Sequence, residues 1–151
     1  MNDVTKMCLM AAGWSNDREV DIDLIVADLL EHGWKPFQEA IQFLKSFDGL
    51  PEFSHEKFSQ YGFSSYALTF IFDYEIAKTY RDTAAILERN LQIQVIPIGH
   101  QDLFAMYLGS DCCIYSLDDD LFCVKNGHSL EESLNNLFLG AYVKTMDFPE
   151  D

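Results

Sequence analysis

LFAMYLGSDCCIYSLDDDLFCV, running from Leu103 to Val124, holds three apolar runs at short intervals: Leu103 to Leu108, Cys113 to Leu117 and Leu121 to Val124. Each run has the length of a strand rather than of a helix. The residues between them, Gly109-Ser110-Asp111 and Asp118-Asp119-Asp120, are turn formers. Strands joined by such short connections pair with their sequence neighbours, so the stretch predicts an antiparallel meander.

Upstream, Val95-Ile96-Pro97-Ile98-Gly99 reads as a further short strand that ends in a turn, with Pro97 placing it at an edge or a bulge. It is preceded by a predicted helix capped by Asp82 and running to about Leu91, with Ala84, Leu87 and Leu91 facing inward. Tyr66 to Phe72 is aromatic and β-branched and reads as a buried strand. The segment before it, with Phe53, Phe58, Tyr61 and Phe63, is aromatic but fits neither period. Downstream, Ser129 and Glu132 have capping-box spacing, and Leu130, Leu134, Leu137, Phe138 and Ala141 form one helical face.

Three helices precede the strands. Val4 to Ala12 has helical composition and stops at Gly13. Between Asp21 and Gly33, Ile22, Ile25, Val26, Leu29 and Leu30 recur at helical spacing, with Asp21 or Asp23 as cap. After Pro36, which suits a first helical turn, Phe37, Ala40, Ile41, Leu44 and Phe47 do the same up to Asp48-Gly49. Helices at both ends and a meander between them define an α+β architecture, an antiparallel sheet with helices packed on one side. With no repeat, low-complexity tract or linker, residues 1–151 are expected to form one domain.

Ten Lys and Arg against twenty-five Asp and Glu give a formal net charge of -15. That field disfavours nucleic acid and anionic membranes and favours basic proteins such as a nuclease, although acidity also simply promotes solubility. Cys8, Cys112, Cys113 and Cys123 follow neither a CxxC pair nor a disulfide framework, so they read as reduced thiols. Met1 to Lys6 lack the basic start and long apolar stretch of a leader, and no run reaches the ~18 apolar residues of a membrane helix. A cytoplasmic location is the expectation.

Catalytic signatures are missing from the pattern. Cys112, Cys113, Cys123, His100 and His128 lie on or beside the meander, but adjacent cysteines on a strand point to opposite faces, so no metal is expected. There is no GxSxG elbow and no phosphate-cradling glycine loop, and His32, His55, His100 and His128 read as surface residues near turns. Asp118-Asp119-Asp120 fails as an EF-hand loop, because Cys123 and Ser129 stand where the required Gly and Glu would be. A charged hairpin tip explains it better. Three exposed carboxylates also make a compact negative point for a partner's Lys or Arg cluster. Trp14 and Arg18, just after Gly13, read either as an aromatic and cationic contact patch or as a core cover and a locally paired cation.

Ala12-Gly13-Trp14 followed by Arg18 resembles the opening of the third subgroup of the SUKH superfamily, immunity proteins of bacterial polymorphic toxin systems related to the fungal Smi and Knr cell-wall regulators. Phe43-Leu44 with Phe47-Asp48-Gly49-Leu50, Leu91 with Val95 to Gly99, Tyr115, and Ser129 to Leu134 with Gly140 are similar to that family's later segments. Together they span almost the whole chain. Where the family has a glycine-containing turn before the strand with the tyrosine, this chain has Ser110-Asp111-Cys112-Cys113, and Pro51 to Gly62 matches no family pattern.

The resemblance implies stoichiometric inhibition of a cognate toxin domain, often a nuclease, with no catalytic residues and no cofactor. Asp118, Asp119, Asp120, Trp14 and Arg18 are the expected toxin-contacting residues. A regulatory or scaffolding module that binds a host protein or small ligand is the alternative, and an enzyme built on the scattered Cys and His is a distant third.

Overall fold

The computed structural model describes residues 1–54 and 69–149. Its strands are β1 (Phe53–Ser54), β2 (Thr69–Ile71), β3 (Val95–Gln101), β4 (Phe104–Gly109), β5 (Ile114–Leu117), β6 (Phe122–Lys125) and β7 (Lys144–Asp147). They form one antiparallel sheet in strict chain order. The described residues also form six helices: α1 (Asp3–Ala11), α2 (Asp23–Glu31), α3 (Gln38–Phe47), α4 (Tyr74–Lys78), α5 (Arg81–Leu91) and α6 (Leu130–Leu139). The α+β class expected from the sequence is the observed one, and the meander extends from three runs to seven strands.

Each of the three runs lies about where the apolar pattern puts it, displaced by a residue, because the turns use one residue of each run. Leu121 and Cys112 both adopt left-handed backbone, φ 66° and 65°. Cys112 thus stands in the left-handed conformation that glycine adopts without steric penalty. Tyr107 pairs with Tyr115 across β4 and β5, and Ser116 with Val124 across β5 and β6.

β3 differs from its expectation. It continues through Gly99 to Gln101 instead of turning there, and its register with β4 shifts between Pro97 and Gly99. A bulge absorbs the missing amide of Pro97, and the glycine serves close approach, since a Cβ on Gly99 would stand 1.9 Å from the Ile71 carbonyl oxygen.

The helices begin and end for local reasons. The Asn2 side chain accepts the Thr5 amide at the start of α1, and Gly13 turns the chain away at φ 102°. Ile22, not an aspartate, occupies the α2 cap, while Asp21 accepts the Asp23 amide at 3.0 Å. The α2 stripe is narrower than expected because Leu30 faces solvent. Tyr80 rather than Asp82 sits at the start of α5, and Asp82 lies in its first turn, where a carboxylate complements the positive helix end. Ser129 Oγ accepts the Glu132 amide at 3.1 Å, the serine half of the capping box. α6 ends at Gly140, leaving Ala141 beyond it and exposed.

An aromatic core joins α3, β1, β2 and α6. Phe43 and Phe72 meet edge to face at 5.4 Å, Phe53 and Phe70 stack at 5.1 Å, and Phe138 meets Phe53 at 4.9 Å. On β4, Tyr107 stacks with Trp34 at 6.1 Å, and the Trp34 indole N–H donates to the Lys78 carbonyl at 2.9 Å. Both rings are fully buried. Tyr66 to Leu68, Phe58, Tyr61, Phe63, His55 and most of the Pro51 to Gly62 segment lie outside the described residues.

Candidate functional site

Two places collect the sequence-predicted residues. The first is the β5–β6 turn. Asp118 builds it: its amide donates to the Phe122 carbonyl, and its carboxylate accepts the amides of Asp120 at 3.0 Å and Phe122 at 2.9 Å. This Asx-type arrangement is why an aspartate opens the turn. It leaves Asp118 half-buried and holds Asp119 and Asp120 out in solvent.

Beside the turn lies a cleft of about 270 Å³. Its walls are Tyr80 and Thr83, at the start of α5, and Asp118, Asp119 and Asp120. Ala105, Tyr107 and Leu117 supply its strand side, and His100 and Leu103 complete it. Burial pushes ionisation of the Tyr107 hydroxyl upward, with Tyr80 adding to it, so the group stays protonated at neutral pH. That hydroxyl has no hydrogen-bond partner among the described residues.

The second place is the loop after α1. Trp14 is 7% exposed, stacks on Phe47 at 5.8 Å and donates its indole N–H to Ser46 Oγ at 2.9 Å. Arg18, half-buried, donates to the carbonyls of Ser46 at 2.6 Å and Asp48 at 2.8 Å. The pair therefore holds the last turn of α3, satisfying carbonyls that the helix leaves free. Trp14 covers the core edge, and Arg18 binds carbonyls rather than a carboxylate. Ser15, Asn16 and Asp17 between them are exposed.

Asp48 next to this clamp is unusual. Its carboxylate accepts the Tyr74 amide at 3.2 Å, yet burial raises its pKa from 3.8 to about 6 against that bond. Because the folded chain holds this proton more tightly than the unfolded one, the group favours folding below about pH 4, and the advantage is lost as pH rises through about 6. Asp48→Asn keeps the Tyr74 acceptor and removes the titration. Relative to this variant, the parent protein is expected to lose roughly 2–3 kcal/mol of stability between pH 4 and 7, measured by denaturant melts across that range.

All four cysteines are free, and Cys8, Cys113 and Cys123 are buried. Burial pushes the Cys8 thiol up to about 11 and Cys123 up to about 12, and it raises Cys112 and Cys113 as well. At neutral pH they are thiols, not thiolates. Among the described residues no three His, Cys, Asp or Glu side chains converge in a way that would hold a metal ion. No helix there is long and apolar enough to cross a membrane.

Sequence reasoning reached the acidic tip but not the cleft behind it. Tyr80 and Thr83 lie on a helix start remote in sequence from the tip, and only the fold brings them together. His100, read as a surface residue near a turn, lines that cleft from within β3.

An α+β protein whose described strands form one antiparallel sheet in chain order, with a negative hairpin tip beside a small cleft, has the architecture expected from the family resemblance. The sequence model of the SUKH-3 immunity protein family matches residues 1–140. The chain belongs to that family, and membership implies a role in toxin immunity through binding a cognate toxin. No curated protein and no solved structure matches the chain.

Proposed function

We propose that this protein, acting as one domain in the bacterial cytoplasm, neutralises the toxin of a polymorphic toxin system by stoichiometric protein–protein inhibition, without catalysis or cofactor. Family membership across residues 1–140 is the observation that supports this reading. The net charge of -15 supports a basic target, a nuclease being the natural class. Asp119 and Asp120 meet the toxin from a turn that Asp118 fixes. Trp14 and Arg18 contribute by holding the exposed loop between them against α3.

Electrostatic complementarity of this kind acts on encounter more than on dissociation. Asp119→Asn with Asp120→Asn, which spares the turn-forming Asp118, is expected to slow association with the toxic domain about 5- to 10-fold at low ionic strength. The dissociation rate should change far less, and the salt dependence of association should flatten. Stopped-flow or surface-based kinetics at several salt concentrations measures both. Unchanged association and unchanged salt dependence would remove the tip from the interface.

A further inference from the structure

The turn between β3 and β4 carries a large apolar side chain that the core does not use. Asp102 and Leu103 alone make this connection, since Gln101 and Phe104 still pair across the two strands. Asp102 adopts left-handed backbone, φ 49°, and Thr69 of β2 holds it there. Its amide donates to the Thr69 carbonyl at 3.0 Å, and its carboxylate accepts the Thr69 amide and hydroxyl, each at 3.3 Å. Three hydrogen bonds to a neighbouring strand thus fix the turn from which Leu103 projects. Leu103 is 84% exposed.

An exposed leucine by itself needs no explanation. Leu24, 86% exposed in the first turn of α2, is such a residue, and it is not among those of the cleft. Leu103 has a different setting. It shares the cleft with a second apolar side chain, Tyr80, 43% exposed, and with Asp118, Asp119 and Asp120. Among the described residues that line it there is no lysine or arginine.

We infer that Leu103, together with Tyr80, is the apolar anchor of the toxin interface and enters a hydrophobic hollow on the toxin whose edge carries lysine or arginine. An apolar side chain held in place before binding contributes its burial without a large ordering cost. The carboxylates select the partner, since they favour a basic edge and reject an acidic one. They also disfavour a second copy of this chain, because a two-fold contact here would set one acidic tip against the other. The inference rests on the reading of this protein as the partner of a basic toxin and deepens it. The carboxylates govern encounter, and Leu103 governs release.

The test compares Leu103→Ser, Leu103→Met and Leu24→Ser with the parent, in thermal melts of the free chain and in binding kinetics with the toxic domain. Leu103→Ser is expected to melt with the parent, because the side chain it trims is already in water. It should release the toxin about 10-fold faster, with the association rate unchanged. Leu103→Met, which keeps an apolar chain of similar volume, should recover most of the parent's residence time. Leu24→Ser should release the toxin as the parent does.

Parent-like release by Leu103→Ser overturns the anchor, as does equal acceleration by Leu24→Ser. A parent that sediments as a dimer and is split by Leu103→Ser would put a second copy on this surface and overturn it too. If the parent binds the toxic domain and only the Leu103→Ser effect is missing, the anchor falls and the immunity reading stands. If the parent forms no complex, both fall.

Discussion

Gly99→Ala is expected to destabilise the protein by at least about 3 kcal/mol and to lower its melting temperature by on the order of 10 °C, because the new methyl group has nowhere to go. Its Cβ would meet the Ile71 carbonyl oxygen at 1.9 Å and Met106 Cε at 3.1 Å. The first of these is backbone, so relief requires β2 to move away from β3. That pairing, Phe70 with Gln101 and Ile71 with His100, carries Phe70 into the aromatic core. The damage therefore spreads from one ladder to the packing of Phe53 and Phe138. Thermal melts followed by circular dichroism check it, and a variant that melts with the parent would show that β2 does not lie against Gly99.

Trp34→Ala is the second large effect, about 3–5 kcal/mol, the usual range for emptying a buried tryptophan site. The loss has three parts on different elements. The Lys78 carbonyl at the end of α4 loses its donor, Tyr107 loses its stacking partner, and Arg81 loses the ring 4.8 Å below its guanidinium. Trp34→Phe keeps a ring against Tyr107 and removes the indole donor, so most of the stability should return, short by about 1 kcal/mol. Denaturant unfolding of the two variants separates packing from hydrogen bonding. Equal losses would contradict the packing account.

The parts of the fold legible in the sequence are those with strong local signals. The glycines after α1 and α2, the Ser129 start of α6 and the turn residues of the meander each act within a few positions, and each is where the pattern puts it. β7 escaped notice because it is an edge strand with Lys144, Thr145 and Asp147 exposed, which leaves no alternation to see. α4 escaped because five residues are too few to show a helical period, although the Asp73 side chain caps it. From the sequence Gly99 reads as a turn, because Pro-x-Gly ordinarily punctuates. Its reason is instead a backbone carbonyl from β2, distant in sequence.

The same division holds for the candidate site. Charge density is a local property, so Asp118 to Asp120 stand out in the sequence, and the division of labour among them follows from which carboxylate accepts turn amides. Trp14 and Arg18 are equally conspicuous as residue types. Their partners on α3 are some thirty positions away, and only these show a clamp on Ser46 and Asp48. Tyr107 looks in the sequence like any other apolar strand position. Its unpartnered hydroxyl is a property of the packed protein alone.

The most direct test of the central claim is co-expression in bacteria of this chain with the toxic domain encoded beside it, scored by survival and then by co-purification. The account predicts rescue and a stable one-to-one complex from the surviving cells. Death of the cells with no complex, from a chain that is expressed and folded, would contradict immunity and leave a regulatory or scaffolding module as the reading of this fold.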